Sequence, residues 1–305
     1  MGPAAVVSFV REALLSAERI VAVVGAGLST SAGIPDFRSP ASGLYETLRR
    51  AGVGEPQEVF DARVFADEPE IFWSVAHLFY SASEQTLSPT LAHRRLASLR
   101  ILRCYTQNVD GLECAAGMAN VVAAHGDATR VRCSRPKCSS APEAVTTARI
   151  AAAVSARSVP LCLRPRCPGV MRPCVVFFGE PLAEASSTTG PVDAGNADAI
   201  LVAGTSLRVA PLNALHRHAR AGVPRIFINR EPPPASIAAG EFDAILLGEL
   251  DGIFDVLFGG GGGGGIWVAE GPAARLMTAE PSLPGPSSAV PVDLPAPGKK
   301  RRQRD

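Results

Sequence analysis

Two cysteine pairs with the same spacing stand out first: Cys133 and Cys138, then Cys162 and Cys167, with four residues inside each pair and 23 between the pairs. Each pair suits a tight turn around a metal, and four thiolates complete a tetrahedral Zn2+ shell. A zinc held by four protein ligands has no open position, so the expected metal is structural. Cys104, Cys114 and Cys174 lack a partner at matching spacing. Cys104 falls in an apolar run, where a thiol packs as a small hydrophobe.

A second kind of chemistry lies where apolar runs end in small or polar residues. Val21-Ala22-Val23-Val24 leads into Gly25-Ala26-Gly27. Glycine lets a backbone approach a diphosphate, and the following helix offers unpaired N–H donors. The third glycine of a full dinucleotide fingerprint is replaced by Thr30. Glu46 has the spacing of a ribose-binding acid, but Ile34-Pro35-Asp36-Phe37-Arg38 intervenes, so no ordinary second strand delivers it. Gly204-Thr205-Ser206 repeats the arrangement after the run 199–203. Thr106-Gln107-Asn108-Val109-Asp110-Gly111 gathers amides and a carboxylate after a third run. Those groups suit an amide ligand and equally suit a turn. His125-Gly126 follows a fourth run, 121–124. A neutral imidazole there fits a general base, and a lone histidine also fits a structural role. His77, His93, His216 and His218 sit in helical patterns and read as core or surface groups.

Something must hold these residues at one edge. The chain has 305 residues, 47% hydrophobic and 19% charged, with net charge +1. That is a globular composition whose overall charge gives no reason to expect a nucleic-acid or membrane partner. No basic n-region precedes an apolar stretch at the start, so no secretory signal is expected, and seven cysteines read as thiols or metal ligands in a reducing compartment. Residues 4–18 carry apolar side chains at helical spacing. Compact apolar runs at 20–24, 102–106, 121–124, 175–178, 199–203, 225–229 and 244–247 predict strands buried on both faces. Helical patterns at 90–100 and 211–221 separate several of them, which predicts a doubly wound, parallel α/β sheet. Residues 38–84 read as a helical insertion with Phe60, Phe65, Phe72, Trp73 and Phe79, and residues 128–172 as an insertion with little periodic structure. From the glycine run 259–265 onward the chain is rich in Pro, Gly and Ser and predicts disorder. It closes on a basic run, 299–304, that fits an import signal.

In this order the motifs resemble the sirtuin family of NAD-dependent protein deacylases over about 5–258, and its eukaryotic deacetylase branch most of all. The matching residues are Gly25-Ala26-Gly27-x-Ser29, Gly33-Ile34-Pro35-Asp36-Phe37-Arg38, Thr106 to Asp110, His125-Gly126, the four cysteines, Val175-Val176-Phe177-Phe178-Gly179-Glu180, Gly204-Thr205-Ser206-Leu207 and Ile228-Asn229. The resemblance implies a Rossmann-like NAD-binding domain over 1–37, 85–127 and 172–258. It implies a smaller domain made of a helical module with the cofactor loop, 38–84, and a zinc module, 128–171, followed by the tail 259–305. It also implies NAD contacts from Gly25, Ala26, Gly27, Ser29, Asp36, Phe37, Arg38, Gln107, Asn108, Val109, Asp110, Gly204, Thr205, Ser206, Asn229 and Glu231. His125 and Asn108 would be catalytic, Val176, Phe178, Gly179 and Val209 would take the acyl-lysine, and Cys133, Cys138, Cys162 and Cys167 would hold one structural zinc.

The implied activity moves an acetyl group from a protein lysine to ADP-ribose, releasing nicotinamide and O-acetyl-ADP-ribose. The implied substrates are acetylated lysines of proteins, histones among them, in nucleus or cytoplasm, with no membrane and no direct nucleic-acid requirement. Mono-ADP-ribosyl transfer to protein and a silent NAD-sensing scaffold are the alternatives. The sequence departs from the family at Asp127, where serine is usual, at Cys174, where aspartate is usual, and at Gly248-Glu249. A carboxylate at 127 would raise the His125 pKa. No Tyr-x-x-Arg pair for acidic acyl groups lies in 38–84.

Overall fold

A computed structural model describes residues 2–36, 43–80, 87–138, 140–182, 184–237, 239–259 and 267–269. Phe37 and Arg38 lie outside the described residues, as does the basic run 299–304. In chain order the strands are β1 Ile20–Val24, β2 Ile101–Thr106, β3 Val121–Ala123, β4 Gly126–Cys133, β5 Glu143–Ala144, β6 Met171–Val175, β7 Ala199–Ala203, β8 Arg225–Asn229, β9 Ala244–Leu247 and β10 Trp267–Ala269.

Seven strands form one sheet in the order β10-β9-β8-β7-β1-β2-β3. All neighbours are parallel except β9 and β10. Every residue of β1 and β7 is buried, which is why both read as unbroken apolar runs. One face is covered by helix Pro3–Ser16 through Val6, Val10 and Leu14, together with Leu91–Ala97 and Leu250–Phe258. The other is covered by Thr189–Asn196 and by Leu212–His218. Strand order reverses between β1 and β7. Open α/β sheets bind their ligands in the crevice at such a point, beyond the strand C-termini.

A second, antiparallel sheet in the order β5-β4-β6 branches off after His125. Its core residues Val131, Cys133 and Met171 share a cluster with Phe65, Phe72 and Trp73 of the helical segment. There the Trp73 indole donates to the Met171 carbonyl at 3.0 Å.

Four expectations need correction. The run 175–178 is not a strand of the main sheet: β6 ends at Val175, and the hydrogen bonds after it are split between different partners. Val176 N–H goes to His125, Phe178 N–H to Phe60, and the Phe178 carbonyl accepts from Ala62. The helix expected over 211–221 is a 3-10 helix, Leu212–His218, in which Leu212 and Leu215 face inward three residues apart, the repeat of that tighter coil. The 128–172 stretch is ordered into three strands and helix Ala148–Ser155; exposed Arg130 and Arg132 around buried Val131 kept β4 from reading as an apolar run. Within the tail expected to be disordered, Trp267–Ala269 pairs antiparallel with β9.

Candidate active site

The two glycine turns touch at the switch point. Gly27 N–H donates to the Gly204 carbonyl at 2.9 Å, and Gly25 N–H to that of Ala203 at 3.1 Å. A Cβ on Gly27 would sit 2.8 Å from the Gly204 Cα. A Cβ on Gly204, at φ +67°, would sit 2.6 Å from the Leu28 nitrogen. Only glycine allows this contact. Gly204→Ala is expected to cost at least about 1–2 kcal/mol from the left-handed backbone alone, before the clash is relieved. A thermal melt and an NAD titration would both register it.

The polar loop after β2 lies across this turn. Its first link is Gln107, whose N–H continues the β1 ladder to Val24 O at 2.9 Å. The Gln107 Oε1 accepts from Thr205 Oγ1 at 2.7 Å. Its Nε2 is buried with no partner. Asn108, 6% exposed, donates its Nδ2 to Gly25 O at 3.2 Å and to Glu113 Oε1 at 3.0 Å. Ser29 Oγ donates to Asp110 Oδ2 at 2.7 Å. The sequence reading passed over Glu113. It is 1% exposed, its acid is pushed up by burial and then by Asp110, and it also accepts from Thr106 Oγ1 at 2.6 Å. Its only sequence signal was position, five residues after Asn108.

His125 stands at the junction of the two sheets. Its Nδ1 lies 2.8 Å from the Gln107 carbonyl. A carbonyl only accepts, so Nδ1 carries the proton and Nε2 keeps the lone pair, the tautomer a base requires. Burial lowers the His125 pKa, opposed only by that carbonyl. The rise expected from Asp127 is not what the structure gives: the Asp127 carboxylate turns onto the Thr129 N–H at 2.8 Å, and the direction for His125 is downward.

Of the residues expected to bind acyl-lysine, Val176 is tied to His125 by its N–H, and Phe178 is 49% exposed. Glu180 fixes this loop, accepting both Arg172 guanidinium nitrogens at 2.7 and 2.8 Å and the Phe177 N–H at 2.9 Å. Gly179 follows with φ +90°. Val209 lies beyond the β7 turn and accepts from the Asn213 N–H at 3.1 Å. Asp36 is joined to the end of β8 by Arg230 at 3.1 Å, while Asn229 turns to the Glu231 carbonyl at 3.0 Å. Ala26, Val109 and Ser206 complete the expected set in these loops. Ser206 is exposed, and Ala26 and Val109 are half-buried.

A further buried histidine lies beneath the site. His93, fully buried, closes a capping box with Thr90. The Thr90 N–H reaches its Nδ1 at 3.2 Å. An amide only donates, so in the neutral ring the proton sits on Nε2, which has no hydrogen-bond partner. Asp110 and Glu113 offer carboxylate oxygens within 4.8 Å of one of its nitrogens. A metal would need a bare nitrogen, whereas the cap occupies Nδ1 and protonates Nε2, so these three residues do not fit one. Burial holds His93 at about 4, against an ordinary value of 6.5. The unfolded chain therefore binds the extra proton between those values, and stability is expected to fall as pH drops from 6.5 toward 4. In His93→Gln that slope should flatten, as read by urea denaturation at several pH values.

The four cysteines meet as their spacing predicts. Sγ of Cys133 and Cys167 are 3.7 Å apart, as are those of Cys138 and Cys162. All four fall within 4.8 Å of one another. Tetrahedral zinc with Zn–S near 2.3 Å implies S–S separations of about 3.8 Å, so the thiols fit the ion. At the switch point the buried Gln107 Nε2 has no protein partner, which leaves a donor for a dinucleotide bound beyond the strand C-termini.

Residues 25–211 match the Sir2 family. The NAD-dependent protein deacetylase hst2-2 of Emericella nidulans is 38% identical over 239 residues, covering 76% of this chain and 65% of that protein. The NAD-dependent protein deacetylase sirtuin-3 of Mus musculus is also 38% identical over 239 residues, 76% of this chain and 68% of the relative. Sirtuin-1 of Rattus norvegicus is 35% identical over 255 residues, 80% of this chain and 43% of the relative. The chain thus spans about two thirds or less of the length of these relatives. Among solved structures, a Sir2 homologue in complex with NAD superposes with TM-score 0.67 at 29% identity, over 82% of this chain and 91% of that one. A Sir2 bound to a deacetylated peptide and 3′-O-acetyl-ADP-ribose gives 0.62 at 31%, over 74% and 88%. Matched by the family model over more than half of its length, by relatives at 38% identity and by solved structures of the same fold, the chain belongs to the Sir2 family.

Proposed function

We propose that the protein is an NAD-dependent protein-lysine deacetylase that transfers the acetyl group to ADP-ribose and releases nicotinamide. The observation that carries this reading is the His125 tautomer: the Gln107 carbonyl holds the proton on Nδ1 and leaves Nε2 basic. When bound, NAD supplies an electrophilic ribose carbon with nicotinamide as its leaving group. Everything else falls to the chain.

The paired glycine turns and Ser29 bring backbone up to the dinucleotide. Gln107, through its free amide, holds a ribose hydroxyl. Asn108, Val109, Asp110 and Asp36 line the nicotinamide pocket, with Asn108 and Asp110 locked by Glu113 and Ser29. Asn229, Ser206 and Glu231 lie toward the adenosine end. Phe37 and Arg38 belong to the same cofactor set by their place in the motif. Phe178, Val176, Gly179 and Val209 guide the acyl-lysine stem. Holding the acyl oxygen at the ribose carbon makes its attack effectively unimolecular. His125 Nε2 then takes the proton of a ribose hydroxyl, freeing that oxygen to attack the acyl carbon. The four cysteines would hold one zinc that stabilises β4, β5 and β6, away from the chemistry.

The substrates are acetylated lysines of proteins, histones among them. Neither nucleic acid nor membrane is required, and no described helix is long and apolar enough to cross one. We place the protein in the nucleus or cytoplasm on the basic run 299–304. The deciding experiment incubates the chain with NAD and an acetylated peptide and weighs the products. O-acetyl-ADP-ribose with free lysine supports the reading. ADP-ribose on protein without deacetylation would instead indicate mono-ADP-ribosyl transfer, and no consumption of NAD would indicate a silent NAD-sensing scaffold.

A further inference from the structure

The two metal knuckles repeat more than their cysteines. Cys133-Ser134-Arg135-Pro136-Lys137-Cys138 and Cys162-Leu163-Arg164-Pro165-Arg166-Cys167 share the order Cys, any residue, Arg, Pro, cation, Cys. Residues 126–175 hold nine basic and two acidic side chains, a net of +7. The whole chain carries +1, so all other residues together sum to −6. One of the two acids, Glu143, is bridged to Arg149 at 2.6 Å. The other, Asp127, sits at the opposite end of β4 from the cysteines.

Arg135, Lys137, Arg164 and Arg166 are all exposed and form no ion pair among the described residues. Cys138 and Cys162 approach to 3.7 Å, and Arg135 of the first knuckle lies against Gly169, just past Cys167 of the second, so the two cationic knuckles adjoin. Next to Arg164 in the second knuckle segment, Leu161 and Leu163 are exposed at 64% and 72%. Both belong to a segment pinned by the Leu161–Val170 bridge.

A simpler role for the cations is to neutralise a zinc tetrathiolate. That centre carries a charge of about −2, for which two cations suffice, and the module would remain near +5. Unpaired like charges on a small module repel one another, so the arrangement costs stability that a partner would restore. We propose that this face of the zinc module is a docking surface for an acidic protein segment with apolar side chains, a contact separate from the acyl-lysine cleft. A nucleic-acid backbone would neutralise the cations and leave both leucines in water, whereas an acidic segment with apolar residues covers both. Gly126 and Cys133 pair with Val175 and Met171, four steps apart on β6, so the cysteine end of β4 stands about 13 Å from the end next to His125, with the knuckles beyond it. Docking there would raise the local concentration of a substrate protein without occupying the cleft.

The proposal stands or falls on direct binding, independent of catalysis. A labelled peptide of alternating Glu and Leu would be titrated into the full, zinc-loaded chain and followed by anisotropy. Binding is expected to weaken about tenfold or more in Arg164→Glu/Arg166→Glu, and severalfold when salt rises from about 0.05 to about 0.3 M. It should also weaken in Leu161→Ser/Leu163→Ser. If the first variant loses zinc or melts early, Arg135→Glu/Lys137→Glu on the other knuckle serves in its place. Tighter binding of a DNA duplex than of the peptide overturns the proposal. So does peptide affinity unchanged by the charge reversals, or no peptide binding at all.

Discussion

His125→Ala is expected to lower deacetylation by about 10²–10⁴-fold, the usual contribution of a positioned general base, while NAD still binds. The two effects separate because, among the described residues, the His125 ring is hydrogen-bonded to the loop after β2 through Nδ1 and the Gln107 carbonyl. The glycine contact, the Thr205–Gln107 bond and the Asn108 network do not depend on its ring. The wild-type pH profile carries a second expectation. The working form of the base is neutral, and burial holds its pKa below the ordinary 6.5. As pH falls, activity should therefore persist past that value before the imidazolium forms. In the alanine variant this acid limb should vanish from whatever activity is left. Rates of O-acetyl-ADP-ribose formation across pH, with an NAD titration beside them, check both points. Near-normal turnover in the variant would remove His125 from the chemistry.

Two imidazoles, half-buried His125 and buried His93, illustrate which parts of the site the sequence exposes. His125 was legible because it follows an apolar run at the ligand edge of the sheet. His93 was not: its helical spacing fits any core or surface residue, and its place beneath Asp110 and Glu113 arises only when helix Leu91–Ala97 packs near the loop after β2. Their tautomers are opposite for one elementary reason, since a carbonyl can only accept and an amide can only donate. β1, β7 and the glycine turns were legible because strands buried on both faces leave continuous apolar runs ending in glycine. The run 175–178 carried the same signature, yet its hydrogen bonds are split between two separate segments, 125–126 and 60–62. Apolar character shows that a segment is buried; it does not show which backbone it pairs with. Glu113, Arg172 and Arg230 went unnoticed because a charged residue acquires meaning only from a partner, and the partners of Arg230 include Asp36, 194 residues away.

Removing zinc is expected to collapse the smaller lobe and leave the large sheet standing. Two residue pairs link β5 to β4 in register, Arg130 with Ala144 and Val131 with Glu143, and each knuckle is otherwise held by single backbone bonds such as Ser134 N–H to Val170 O at 2.8 Å and Cys162 N–H to Gly169 O at 2.9 Å. Without the ion, four thiols converge within 4.8 Å; the Ser140 hydrogen bonds draw Cys138 below the ordinary thiol range, while burial pushes Cys133 above it. A mixed set of thiolates and thiols cannot replace the roughly 10 kcal/mol that structural zinc supplies to a small site. The loss will not stay local, because Val131, Cys133 and Met171 share one core with Trp73, Phe72 and Phe177. Loosening β4 and β6 frees the Met171 carbonyl from the Trp73 indole and slackens the Arg172–Glu180 clamp on the loop 176–180. The chain has only two tryptophans, and Trp73 is fully buried, so its emission should shift to the red as a chelator strips the metal. Activity should fall in parallel and return when zinc is restored. Far-UV circular dichroism should change much less, since β1, β7 and helix Pro3–Ser16 belong to a different core. Cys162→Ser should give the same emission shift without chelator. A chain that keeps its Trp73 emission and its turnover with no metal bound would show that the four cysteines are not a folding centre.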